Sequence, residues 1–159
     1  MFDDFKELLS AFNAHNVKYL VVGGYAVSFH AQPRATKDLD IFIKADPANA
    51  DAAYAALADF GAPLADIDKN DLADPRKFIR FGQPPIAVDI LPGIDGVDFD
   101  KAWEHRVEGV IDPQSGLSVF IISKADLITS KLAAGRLRDL ADVEEIREAE
   151  SSQFNESQG

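Results

Sequence analysis

Phe2, Phe5, Leu8, Leu9 and Phe12 recur three or four positions apart, which predicts an amphipathic helix to about Ala14, ended by His15-Asn16. The run Val17 to Val22 (VKYLVV) is β-branched and aromatic and reads as a buried strand. Gly23-Gly24 follows, then a short helix over Tyr25 to Ala31 that must end before Pro33. Asp38 to Lys44 (DLDIFIK) alternates between polar and apolar and predicts a second strand. Asp46-Pro47 is a helix start, with Asp as N-cap and Pro in the first turn. Ala53, Ala56, Leu57 and Phe60 form that helix's inner stripe, and Gly61 stops it. Residues 62–75 are polar and turn-rich and read as a loop.

Lys77 to Phe81 and Ile86 to Leu91 predict two strands around Gly82-Gln83-Pro84-Pro85. Phe99 to His105 reads as a short helix, and Leu117 to Ile122 as the last clear strand. Ser123 and Asp126 resemble a capping box, so helix is expected from Lys124 towards Glu150, bent or broken near Gly135. The expectation is an α/β or mixed α+β fold: a mixed sheet flanked by helices, with a C-terminal helix or helix pair. Residues 1–150 read as one domain and 151–159 (SSQFNESQG) as a disordered polar tail. The pattern leaves the strand order open.

Asp38 and Asp40 lie two apart on a predicted strand, so both carboxylates share a face while Leu39 and Ile41 point into the core. Two close carboxylates repel unless a cation or a proton intervenes. Asp89 is a lone acid in an apolar strand (Val88-Asp89-Ile90). It either faces water from an edge strand or meets the Asp38/Asp40 pair to make a two-metal site. Gly23-Gly24, between strand and helix, is either an ordinary tight turn or a place where backbone N–H groups approach a phosphate.

Composition narrows the chemistry. The chain has 159 residues, no cysteine, and histidines only at 15, 30 and 105, so thiolate sites are excluded and a histidine-rich zinc site is disfavoured. A hard, oxygen-liganded cation such as Mg²⁺ suits the ligand supply. With a net charge of −11, extended duplex nucleic-acid binding is not expected. No apolar run reaches the length of a membrane span and no signal pattern opens the chain, so the expected location is cytoplasmic.

The run Val22-Gly23-Gly24, thirteen residues, then Asp38-Leu39-Asp40-Ile41 resembles the signature of the DNA polymerase β-like nucleotidyltransferase superfamily. Val88-Asp89-Ile90 is similar to the segment carrying that family's third acid. The longer stretch GGYAVSFHAQPRATKDLDIFI, and Lys131 to Arg136 followed by Asp139 and Asp142, resemble a bacterial subgroup that includes abortive-infection toxin nucleotidyltransferases. The resemblance implies transfer of a nucleoside monophosphate from a Mg²⁺-bound triphosphate such as ATP to a hydroxyl on an RNA end, a protein or a small molecule. It implies Asp38, Asp40 and Asp89 as catalytic metal ligands and Gly23 and Gly24 as phosphate donors. A toxin–antitoxin or phage-defence setting follows from the subgroup alone. The chain has little beyond such a core, so a partner protein or a homodimer is expected. The competing class is a binding module that keeps the fold and binds nucleotide or a partner without turnover.

Other residues carry two readings each. Lys131 shares a helix face with Leu127 and Ile128, so it either snorkels to solvent or enters a charged cleft and meets triphosphate. Arg34 binds phosphate or pairs with one of the acids; Thr36 contacts phosphate or caps a turn. Arg136 and Asp139 fit a helix-surface ion pair. Lys69, Arg76, Lys77 and Arg80 are candidates for a local basic patch. His30 is expected to pack or hydrogen-bond, Phe99 and Trp103 to join the core, and Glu144-Glu145 to be solvated.

Overall fold

The computed structural model describes residues 1–158, with side chains to 152. Helix α1 (Asp3–Ala14) buries Phe5, Leu8, Leu9 and Phe12, the predicted stripe. Strand β1 (Tyr19–Val22) is buried at every position. It begins two residues later than its hydrophobic run because Val17 N–H closes the end of α1 on Phe12 O and Lys18 N–H is taken by Asn49 Oδ1. Helix α2 spans Gly23–His30, so the two glycines form its first turn rather than a turn before it.

Strand β2 (Asp38–Ile43) leads to α3 (Pro47–Phe60), capped as expected by Asp46, which accepts the Asn49 N–H at 2.7 Å. Buried Asn49 also donates to the Lys18 and Lys44 carbonyls, tying the start of β1 to the end of β2. The expected loop holds two short 3₁₀ turns, Leu64–Asp66 and Lys69–Ala73. Strands β3 (Ile79–Phe81) and β4 (Ala87–Leu91) follow, then helix α4 (Phe99–Glu104), β5 (Val107–Val110) and β6 (Ser118–Ile121). Strand β5 is not foreseen by the sequence pattern. It is four residues long and contains Gly109, where the Phe29 ring fills the space a side chain would need.

Helices α5 (Lys124–Ala134) and α6 (Leu137–Gln158) form the C-terminal pair. Ser123 caps α5 by accepting the Asp126 N–H, and Gly135 ends it at φ 68°, a left-handed conformation that suits glycine. The backbone of α6 continues into the stretch expected to be a tail; its side chains from 153 on and Gly159 lie outside the described residues.

The sheet order is β3-β4-β2-β1-β6-β5. The β2–β4 and β1–β6 pairs are parallel; β1–β2, β3–β4 and β5–β6 are antiparallel. This is the mixed α/β architecture expected, with helices α1 and α3 packed together and α5 against α6. Phe42 packs on Phe99 at 4.9 Å between ring centres, Phe99 stacks on Trp103, and both aromatics join the core. His30 bonds the Ile122 carbonyl at 2.7 Å, and burial lowers its pKa. Among the described residues, no helix is long and apolar enough to cross a membrane.

Candidate active site

Strand register assembles the acids. Asp38 and Asp40 share one face of β2, while Leu39 and Ile41 are fully buried on the other. Parallel pairing with β4 sets Asp40 beside Asp89, and antiparallel pairing with β3 sets Arg80 beside Asp89. On the other flank Val22 pairs with Asp40, which delivers Gly23 and the N-terminus of α2 to the same point. Asp89 is therefore an interior-strand residue; β3 covers the edge.

These groups open into a cleft of about 540 Å³ whose walls include Gly23, Asp40, Arg80, Asp89, Lys131 and Arg136. A second groove of about 620 Å³ runs along α5 and α6, beside Leu132, Leu140 and Arg147, and holds none of these acids.

The acid cluster is electrostatically strained. Asp40 is pushed up to about 7, first by burial, then by its neighbours Asp89 and Asp38; Lys131 pulls the other way. Asp89 Oδ1 is buried with no hydrogen-bond partner. Arg80 donates from Nη1 to Asp89 Oδ2 at 2.7 Å and stands 3.7 Å from Asp38 Oδ1 through Nη2. Among the described residues, no three acidic or imidazole groups form a ready-made metal cage.

Gly23 is what lets Asp40 sit there. Its φ is +67°, and a Cβ at this position would overlap Asp40 Oδ2 and lie 2.8 Å from Cγ. Val22, the residue before α2, has no polar side chain, so no cap covers the first-turn amides.

The opposite wall is cationic, but its cations are already paired. Lys131 contacts Asp142 at 2.8 Å and Asp139 at 3.6 Å; of its two alternatives, the cleft is the one it takes. Arg34 reaches the same Asp142 through both terminal nitrogens, at 2.9 and 3.4 Å, and Glu145 at 3.6 Å. Burial raises the Asp142 pKa, but the Arg34 and Lys131 hydrogen bonds outweigh it and hold the carboxyl below its ordinary range. Asp139 is only 2% exposed, so its pair with Arg136 is not the surface pair expected. The reason is helical phase: Asp139, Asp142, Val143 and Ile146 share the buried stripe of α6. Asp142→Ala leaves two cations short of a counter-ion, and urea unfolding should register a loss of about 2 kcal/mol.

Gly23, Asp40, Asp89 and Lys131 thus meet in the cleft, and Asp38 borders it through Arg80. Gly24, Arg34 and Thr36 do not line it. Thr36 Oγ1 donates to the Asp38 carbonyl and accepts its N–H, fixing the entry to β2, and its side chain lies under Gly24. Arg34 is tied to α6 rather than to an acid of the cluster. The sequence offers Arg80 only as part of a local basic patch and Phe78 only as part of a strand, yet both line the cleft. The signal for Arg80 was its alternation with buried Ile79, which sends it to the face that Asp89 occupies.

Residues 1–155 match a family model described as "Nucleotidyltransferase of unknown function (DUF6036)". No curated protein matches the chain. The match covers nearly the whole chain, which therefore belongs to that family.

Proposed function

We propose that this member of the DUF6036 nucleotidyltransferase family moves a nucleoside monophosphate from a triphosphate to a hydroxyl acceptor in the cleft between the sheet and α5–α6. The observation carrying this reading is the register that sets Asp40 against Asp89 and both beside the uncapped first turn of α2. The donor set is three carboxylates, and one buried oxygen, Asp89 Oδ1, lacks a partner, so the residues fit a hard divalent cation such as Mg²⁺. Such an ion, held by Asp38, Asp40 and Asp89, would neutralise the triphosphate and acidify the acceptor hydroxyl.

The remaining work falls to the chain itself. The Gly23 amide, in the uncapped first turn of α2, binds a phosphate oxygen at the positive end of the helix. Lys131 adds positive charge from the facing wall. Asp89 lies on the β3 side of Asp40, away from Gly23, and so faces the acceptor. The acceptor oxygen bonds to the α-phosphorus, its proton passes to Asp89, and the bond to the β-phosphate breaks, releasing pyrophosphate. Pre-set charge and orientation supply the rate. The acceptor's chemical class stays open among an RNA end, a protein and a small molecule. A defence or toxin–antitoxin setting with a partner protein rests on the sequence resemblance to the bacterial subgroup.

One observation favours a second reading, a nucleotide-binding module without turnover: Arg80 already neutralises Asp89 and Asp38. Calorimetric titration of the four ribonucleoside triphosphates with Mg²⁺, on wild type and on Asp38→Ala/Asp40→Ala, separates the two together with a pyrophosphate assay. The transferase binds a triphosphate only with metal, loses it in the folded double variant, and releases pyrophosphate once an acceptor is supplied. Binding without pyrophosphate from any acceptor class leaves the module; no binding removes both.

A further inference from the structure

Arg80 is placed as a cation would be. Its strand, β3, pairs with β4 so that Arg80 stands directly across from Asp89 on the cleft face. The guanidinium does not grip one carboxylate with both arms, the arrangement that gives arginine–carboxylate pairs their strength. It divides between two acids on different strands, 2.7 Å from Asp89 on β4 and 3.7 Å from Asp38 on β2. The Arg80 side chain is 53% exposed, whereas Asp89 is 13% exposed. The acid is enclosed and the base is half exposed. Arg80 has no other hydrogen bond or ion pair among the described residues.

A half-exposed monovalent group is thus divided between carboxylates that a divalent ion would also need.

We propose that Arg80 is the internal counter-ion of the acid cluster: its guanidinium balances Asp89 and Asp38 while the site is empty, and a divalent cation binds by displacing it. This rests on the reading of these acids as metal ligands. Arg80 is in this sense a positioning residue, because it acts on cation binding through the carboxylates. Two opposed effects follow. Arg80 stabilises the empty protein by damping carboxylate repulsion, and it weakens the first divalent ion, which must break both contacts. The released side chain stays on a half-exposed stem at the cleft, where its planar fork matches phosphate better than a lysine would.

The test uses Mn²⁺ alone, without nucleotide, on wild type, Arg80→Gln, Arg80→Lys and Asp38→Ala/Asp40→Ala. Free Mn²⁺ is followed by electron paramagnetic resonance and the heat by calorimetry; melting temperatures are taken in chelator and in saturating Mn²⁺. Arg80→Gln is expected to bind Mn²⁺ about tenfold tighter than wild type. It should melt below wild type in chelator and gain more from Mn²⁺ than wild type does. Arg80→Lys, which keeps the charge, should stay near wild type in affinity, so it controls for simple loss of packing. Equal or weaker Mn²⁺ binding by folded Arg80→Gln overturns the proposal while leaving the acids as ligands. If neither wild type nor Arg80→Gln takes up Mn²⁺, the metal-ligand reading falls and this proposal with it.

Discussion

Asp40→Asn should lower nucleotidyl transfer by three orders of magnitude or more and yet make the metal-free protein more stable than wild type at pH 8. The two effects share one cause. Asp40 is pushed up to about 7 by burial first, then by Asp89 and Asp38. The native state therefore prefers the protonated carboxyl far more than the unfolded chain does. Its contribution to stability is fully present below about pH 4, the unfolded value, and drains away as pH rises through about 7. An asparagine has no proton to lose, and its amide can donate to the orphaned Asp89 Oδ1. Three pKa units set a ceiling of roughly 4 kcal/mol. Sharing with Asp89 and local relaxation reduce the expected gain at pH 8 to about 2 kcal/mol. Urea unfolding in chelator from pH 5 to 8 reads it: the variant should lack much of the wild type's decline across that window. A variant less stable than wild type at pH 8 would mean that Asp40 is not strained. Under the proposed function, the catalytic loss follows from removing a charge that the transition state needs.

Gly23→Ala is the second large effect, about 3 kcal/mol or more of destabilisation together with loss of triphosphate binding. The added methyl overlaps Asp40 Oδ2, and φ +67° is disfavoured for alanine even where space is free. The neighbouring Gly24→Ala should be milder, since its Cβ would meet the Thr36 hydroxyl at 3.0 Å and its φ is not left-handed. Adding Asp40→Gly to Gly23→Ala removes the clash but not the backbone strain. Unfolding of the double variant should recover more than half of the loss, with no return of activity. Independent, additive losses would show that the two residues do not collide.

What could be read in the sequence was whatever lies within one element or one short turn. Period-2 spacing gave the shared face of Asp38 and Asp40, and helical spacing gave the stripe of α1. The caps at Asp46 and Ser123 and the break at Gly135 were equally local. What was hidden needed register or helical phase across the chain. Arg80 opposes Asp89 only through a three-residue strand whose pairing cannot be read from its composition. Asp139 and Asp142 look like surface acids until α6 is docked and shown to bury them against Lys131, Arg34 and Arg136. Strand β5 was missed because Gly109 breaks its alternation and the ring that fills the gap comes from Phe29. Lys131 had two balanced alternatives for the same reason: helical spacing names a face, and only docking says what that face meets.

The chain order of the sheet also bears on when the candidate site is assembled. Every acid of the cluster, with the glycines beside it, lies between Gly23 and Asp89, on strands that pair with one another. The facing cations arrive only with α5 and α6, joined to the rest where Val21 meets Ile121, a hundred residues further on. Contacts so distant in sequence are slow to close. During synthesis the carboxylates therefore leave the ribosome long before Lys131 and Arg136 do, and a nascent chain carries half a site. Such a chain lacks the facing cations until its last strand and helices have docked, so under the proposed function nucleotidyl transfer waits for the fold to be completed.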